Sequence, residues 1–194
     1  MGKNVAILAS GNGTNAENII RYFQEKGGED GVVLVVSNRQ NVNVFKRAEN
    51  LHVPCIYISK KKWTTGEEVL KLLADYRVDF IVLAGFLAKV PDTLLHAYPQ
   101  RIINIHPSLL PKFGGKGMYG DRVHQAVVEA GERESGITIQ YINEHYDEGD
   151  IIAQFRCSVF PKDTAEDVAV RVHALEYEHY PQVIERLLAE IDNK

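Results

Sequence analysis

Val5-Ala6-Ile7-Leu8-Ala9 is an unbroken apolar run that stops at Ser10-Gly11-Asn12-Gly13-Thr14-Asn15 and gives way to helical periodicity. A run that short, with no polar residue alternating through it, reads as a strand buried on both faces. Such strands belong to parallel sheets covered by their crossover helices. The same unit recurs along the chain. Strands are expected over residues 5–9, 32–37, 54–58, 80–83, 102–106, 136–142 and 151–159, and helices over 15–26, 44–51, 67–76, 91–97 and 121–130. This alternation predicts an α/β fold, a Rossmann-like, mainly parallel twisted sheet of about seven strands with helices on both faces.

The last two strands have no helix between them, so the sheet should finish in an antiparallel edge near the C-terminus. A long helix is expected over 164–191, opened by Thr164 and Asp167 as a capping pair, with Pro181 kinking or dividing it. No repeat, low-complexity segment or linker interrupts the 194 residues, so a single domain is expected. No apolar run approaches the roughly 20 residues of a membrane span, and the N-terminus runs directly into the first strand. A soluble, cytoplasmic protein is the expectation. The formal charge of −4 carries no basic excess, which argues against a dedicated nucleic-acid surface and leaves any small anion to be held locally. Cys55 and Cys157 both lie in strand-like apolar runs and read as buried thiols of a reducing compartment.

The turn after the first strand has two chemical readings. Gly11-x-Gly13-x-x-Ala16 matches the dinucleotide fingerprint, but the acidic residue that would hold a ribose at the end of the second strand is replaced by Ser37-Asn38-Arg39. Arg39 there would suit a 2′-phosphate. The turn is also polar: Asn12, Thr14 and Asn15 stand beside the free N–H groups of a helix start, which suits a terminal phosphate. A tight structural turn without a ligand is the third possibility.

The second focus is Arg101-Ile102-Ile103-Asn104-Ile105-His106-Pro107-Ser108-Leu109-Leu110-Pro111. Alternation puts Asn104 and His106 on one face of a strand, with Ile103 and Ile105 on the other. Pro107 cannot donate to a ladder, so His106 should stand at the strand's carboxyl end, the edge where open parallel sheets bind ligands. Asp147 follows in a polar loop. An amide, an imidazole and a carboxylate together suit acyl transfer: the two N–H donors can hold the oxyanion that forms when an amine attacks a carbonyl. The carboxylate favours a cationic imidazole and can relay a proton through water. Neither serine nor cysteine adjoins the pair, so direct transfer is expected. The acidic segment Glu144 to Asp150 lacks the alternating oxygen spacing of a calcium loop, and no metal site is expected.

Asn104-Ile105-His106-Pro107-Ser108-Leu109-Leu110-Pro111, Leu83-Ala84-Gly85-Phe86, the glycine turn and Tyr146-Asp147-Glu148-Gly149 occur in one chain, in this order. Together they resemble the glycinamide ribonucleotide (phosphoribosylglycinamide) formyltransferase family of purine synthesis, within the wider formyltransferase superfamily. The resemblance implies formyl transfer from 10-formyltetrahydrofolate to the amine of glycinamide ribonucleotide. Asn104 and His106 would act on the formyl oxygen, and Asp147 would tune His106. It further implies Gly13, Thr14 and Asn15 at the ribonucleotide phosphate, His173 and Glu176 at the same substrate, and Leu87, Ala88, Lys89, Val90, Asn143, Glu144, His145 and Tyr146 around the folate. Residues 1–100 would then be a phosphate-binding half and 101–194 a catalytic and folate-binding half. Both partners are small molecules, and the protein would be a monomer or homodimer. A formyltetrahydrofolate hydrolase, another amine N-formyltransferase, and a non-catalytic NADP-type binding module are the alternatives.

The sequence departs from that family in three places. The loop Phe113-Gly114-Gly115-Lys116-Gly117-Met118-Tyr119-Gly120 is longer and richer in glycine. Gln140 stands where many members have a histidine. No arginine for the folate tail is found near Trp63, where Lys60, Lys61 and Lys62 stand instead.

Overall fold

A computed structural model describes residues 2–191. Seven strands run β1 (Asn4–Leu8), β2 (Gly31–Ser37), β3 (Cys55–Tyr57), β4 (Phe80–Leu83), β5 (Ile102–His106), β6 (Glu134–Tyr141) and β7 (Ile151–Ser158). They form one sheet in the order β3-β2-β1-β4-β5-β6-β7. β1 pairs in parallel with both β2 and β4, and β2 with β3. β6 and β7 pair antiparallel, the edge the missing crossover helix foretold. The helices are α1 (Thr14–Lys26), α2 (Asn43–Asn50), α3 (Lys60–Thr65), α4 (Glu67–Asp75), α5 (Asp92–Ala97), α6 (Asp121–Glu129) and α7 (Ala165–Ile191).

The chain divides into two compact units, one drawn from Met1–Ile103 and Ile184–Lys194, the other from Asn104–Val183. In the first, Val5, Ala6, Ile7 and Leu8 are completely buried, as a central parallel strand requires. α1 buries Ala16, Ile19, Ile20 and Phe23, spaced three, one and three apart along one helical stripe. The strand order reverses between β1 and β4, so the turns that follow these two strands stand at a topological switch point, where α/β sheets bind ligands. In the second unit, α6 buries Val123, His124 and Val127, and β6 is buried from Ser135 to Gln140.

Two expectations are corrected. Residues 60–65 fold as α3, which buries Trp63 and stops at Gly66 in the left-handed conformation. Its six residues carry no apolar period to reveal it. Pro181 was expected to kink or divide the last helix; α7 is not divided there and runs from Ala165 to Ile191. Proline removes one hydrogen bond there, while Tyr180, Val183 and Ile184 on either side are buried at 6% exposure or less, so packing holds the turn. The capping pair forms as expected: the Asp167 N–H donates to Thr164 Oγ1 at 3.2 Å, and the Thr164 N–H donates to Asp167 Oδ2 at 2.8 Å.

Candidate active site

β5 ends at His106, which is 4% exposed, and the alternate residues Ile103 and Ile105 are buried. His106 Nε2 lies 2.8 Å from the Phe113 carbonyl. A carbonyl only accepts, so Nε2 carries a hydrogen. His106 Nδ1 faces Asp147 Oδ2 at 3.6 Å, with the two side chains 5% and 13% exposed. Both ring nitrogens therefore face oxygen acceptors. Asp147, at φ 57°, occupies the left-handed region that aspartate tolerates better than most residues. Its Oδ2 accepts the Gly115 N–H at 2.8 Å and its Oδ1 accepts from Gln140 Nε2 at 3.1 Å. Thus the glycine-rich loop touches both members of the pair, through Phe113 and Gly115.

The segment after His106 is held from β6. Gly136, Thr138 and Gln140 share one face of that strand. A side chain at Gly136 would run into Leu109 and the Phe155 carbonyl, so glycine lets the two segments approach. Thr138 Oγ1, completely buried, donates to the Ser108 carbonyl at 2.7 Å and accepts from Leu110 N at 3.0 Å and Gln154 Nε2 at 2.9 Å. Gln154 Nε2 also reaches the Leu110 carbonyl at 2.9 Å. Sequence reasoning missed Thr138 and Gln154; residues 28 and 44 positions from Leu110 leave no local signal.

A second cluster joins α6 and α7. His173 Nδ1 lies 2.8 Å from Glu176 Oε2, with His173 half exposed and Glu176 at 5%. The hydrogen bond from Glu176 raises the His173 pKa above its ordinary value. His124, 1% exposed with its ring 6.0 Å from that of His173, is shifted the other way, chiefly by burial and then by the neighbouring His173.

In the first unit, Gly13 caps α1 at φ 75°, and a Cβ there would fall 2.5 Å from Val44 Cγ2, so the turn requires glycine. Asn12 is already engaged: its carbonyl accepts from Arg47 Nε at 2.9 Å and its Oδ1 from Asn43 at 3.1 Å. Arg47 also pairs with Glu17, and hydrogen bonds from Arg21 and then Arg47 hold the Glu17 carboxyl below its usual pKa. Ser10 bridges the two switch-point turns, its N–H donating to the Gly85 carbonyl at 3.1 Å and its Oγ accepting from Leu87 N at 2.9 Å. Trp63 Nε1 donates to the Lys89 carbonyl at 2.7 Å and its ring packs 4.7 Å from Phe86. Segment 87–90 is thereby fixed at both ends. Lys62 pairs with Glu68 at 2.6 Å on the surface. In the β6–β7 loop, Asn143 Oδ1 accepts the His145 N–H at 2.9 Å and its Nδ2 donates to the Glu148 carbonyl at 3.0 Å, while Tyr146 is 45% exposed.

Residues 3–184 match the protein family described as formyl transferase. This chain belongs to that family. Among formyl transferase relatives, phosphoribosylglycinamide formyltransferase of Bacillus subtilis is 39% identical over 190 residues, 96% of this chain and 95% of that protein. The chloroplastic enzyme of that name from Arabidopsis thaliana is 40% identical over 94% of this chain. This chain spans 64% of its length. The crystal structure of phosphoribosylglycinamide formyltransferase from Bacillus halodurans superposes with a TM-score of 0.88 at 36% identity, covering 98% of both chains. The mixed, mostly parallel sheet with its antiparallel C-terminal edge is thus the fold of this formyl transferase family. Among the described residues, no group of three or more His, Cys, Asp and Glu side chains is placed to hold a metal, and no helix is long and apolar enough to cross a membrane.

Proposed function

We propose that this chain transfers a formyl group from 10-formyltetrahydrofolate to the glycine amine of glycinamide ribonucleotide, a step of de novo purine (IMP) biosynthesis in the cytoplasm. The observation that carries the reading is the contact of His106 with Asp147, 3.6 Å apart, on the strand that also bears Asn104. The formyl transferase membership and the printed activity of the relatives agree with it.

The mechanism follows from those groups. The substrate amine attacks the formyl carbon, and its oxygen becomes anionic. The Asn104 amide N–H and a His106 N–H stabilise that oxyanion more than the ground-state carbonyl, which lowers the barrier. His106 Nε2 now donates to the Phe113 carbonyl, so that carbonyl must give way if the same N–H is to serve the oxyanion. Asp147 orients the ring and accepts, through water, the proton lost by the attacking amine. Collapse of the adduct breaks the bond to the folate nitrogen, which takes up a proton as it leaves. Gly13, Thr14 and Asn15 take the ribonucleotide phosphate at the start of α1, and His173, oriented by Glu176, contacts the same substrate. Segments 87–90 and 143–146 receive the folate.

The test is direct. Protein mixed with 10-formyltetrahydrofolate and glycinamide ribonucleotide should release tetrahydrofolate, and His106→Ala or Asn104→Ala should lower kcat on the order of 10²-fold or more while ribonucleotide binding survives. A folded sample without turnover would refute the reading. Formate release without ribonucleotide would indicate a hydrolase, and NADP binding weakened by Arg39→Ala a nucleotide-binding module.

A further inference from the structure

Gln140 is 1% exposed, yet one end of its carboxamide is used and the other is not. Nε2 donates to Asp147 Oδ1 at 3.1 Å, while Oε1 is buried without a hydrogen-bond partner among the described residues. The orientation is dictated by chemistry, because an ionised carboxylate accepts only and would repel the amide oxygen. A buried acceptor left unpaired disfavours the folded state, so an apolar side chain of equal volume would serve packing better. The amide is therefore out of place as a purely structural element.

The β6–β7 ladder is irregular beside this contact. The β6–β7 register shifts between Ile139 and Gln140: Ile139 faces Ala153, but Gln140 faces Ile151. The extra residue, Ile152, lies on β7, so β6 keeps its alternation and Gln140 stays on the face it shares with Gly136 and Thr138. Asp147 sits on the short β6–β7 loop, and two donors from outside that loop hold its carboxylate. The Gly115 N–H occupies Oδ2, the oxygen that also faces His106, and Gln140 takes Oδ1.

We propose that Gln140 is a positioning residue of the transfer reaction: its amide pins Asp147 Oδ1 so that Oδ2 is presented to the imidazole of His106. This rests on the assignment of His106 and Asp147 made under Proposed function. It also has a consequence for proton traffic. An amide does not titrate in the working pH range, so the line of polar contacts from His106 through Asp147 ends at Gln140. A proton taken up by the pair must leave by water.

The experiment compares wild type with Gln140→Met, Gln140→His and Gln140→Glu in the full chain. Gln140→Met keeps the volume and removes the donor. Its melting temperature should stay at or above that of wild type, its KM for ribonucleotide within about twofold, and its kcat should fall about 10-fold or more. Gln140→His restores a ring N–H and should recover most of that loss. In Gln140→Glu the carboxyl can donate to Asp147 only while protonated, because two carboxylates in contact do not both stay ionised. Activity should survive in acid and disappear at a lower pH than in wild type. Wild-type kcat in Gln140→Met, or loss of stability and kcat together without rescue by histidine, would overturn the assignment. Turnover by wild type tests the underlying reading separately. The ring 15N resonances of His106, which should move in Gln140→Met, test the positioning whether or not formyl transfer occurs; unchanged resonances would sink it.

Discussion

Replacing Thr138 with valine should destabilise the protein far more than its near-identical volume suggests. The substitution keeps the branched shape at a completely buried site and deletes the hydroxyl that joins Ser108, Leu110 and Gln154. Gln154 Nε2 retains the Leu110 carbonyl, but the Leu110 N–H and the Ser108 carbonyl lose the partner they now have. Each buried backbone group left unpaired costs about 1–3 kcal/mol. The added methyl returns roughly 0.8 kcal/mol. The net loss is about 1–5 kcal/mol, and at this chain length each kcal/mol lowers Tm by about 2–4 °C, giving a drop of about 2–20 °C. Urea unfolding followed by circular dichroism should show the midpoint falling at constant m. Thr138→Ser keeps the hydroxyl, loses one methyl and should be the milder variant. Because the freed segment begins two residues after His106, kcat of Thr138→Val should fall while ribonucleotide binding persists. Valine within about 0.5 kcal/mol of wild type, or serine worse than valine, would refute the argument.

Gly13→Ala combines a left-handed backbone, costing about 1–2 kcal/mol, with a Cβ driven into Val44, costing about 1–3 kcal/mol more; ribonucleotide affinity by calorimetry should fall with the stability. The raised pKa of His173, set mainly by its bond to Glu176, means the protonated pair stabilises the fold fully below about pH 6.5, and the gain disappears as pH rises through the folded value. His173→Gln should therefore melt about 1–3 °C below wild type at pH 6, with the gap closing in alkali, a small effect because the ring is half exposed. A gap independent of pH would contradict it. Burial pushes the Cys55 thiol up to about 12, so its alkylation at pH 8 should run on the order of 10³-fold slower than that of a free cysteine until the protein unfolds.

Much of the architecture was legible because its signals are local. β4 and β5 run over the residues the apolar runs marked, and the ends of α1 and α4 fall within one residue of the periodicity. Asn104 and His106 could be placed on one face from strand alternation alone, and Asp147 could be named as a partner through its family motif. α3 was invisible because three lysines and two threonines surround its only buried residue, and α7 is not divided at Pro181, whose neighbours are packed.

Local pattern thus specified which residues form strands, which residues of β5 share a face and where the glycine turn before α1 lies, since pleat, helical period and proline geometry act over a few residues. Tertiary structure alone brought Gln140 and Gly115 to the Asp147 carboxylate, set Thr138 under the segment after His106, and tied up Asn12 with Arg47. Those contacts join positions 7 to 35 apart in the chain, and their geometry depends on strand register and loop path, which no short stretch of sequence encodes.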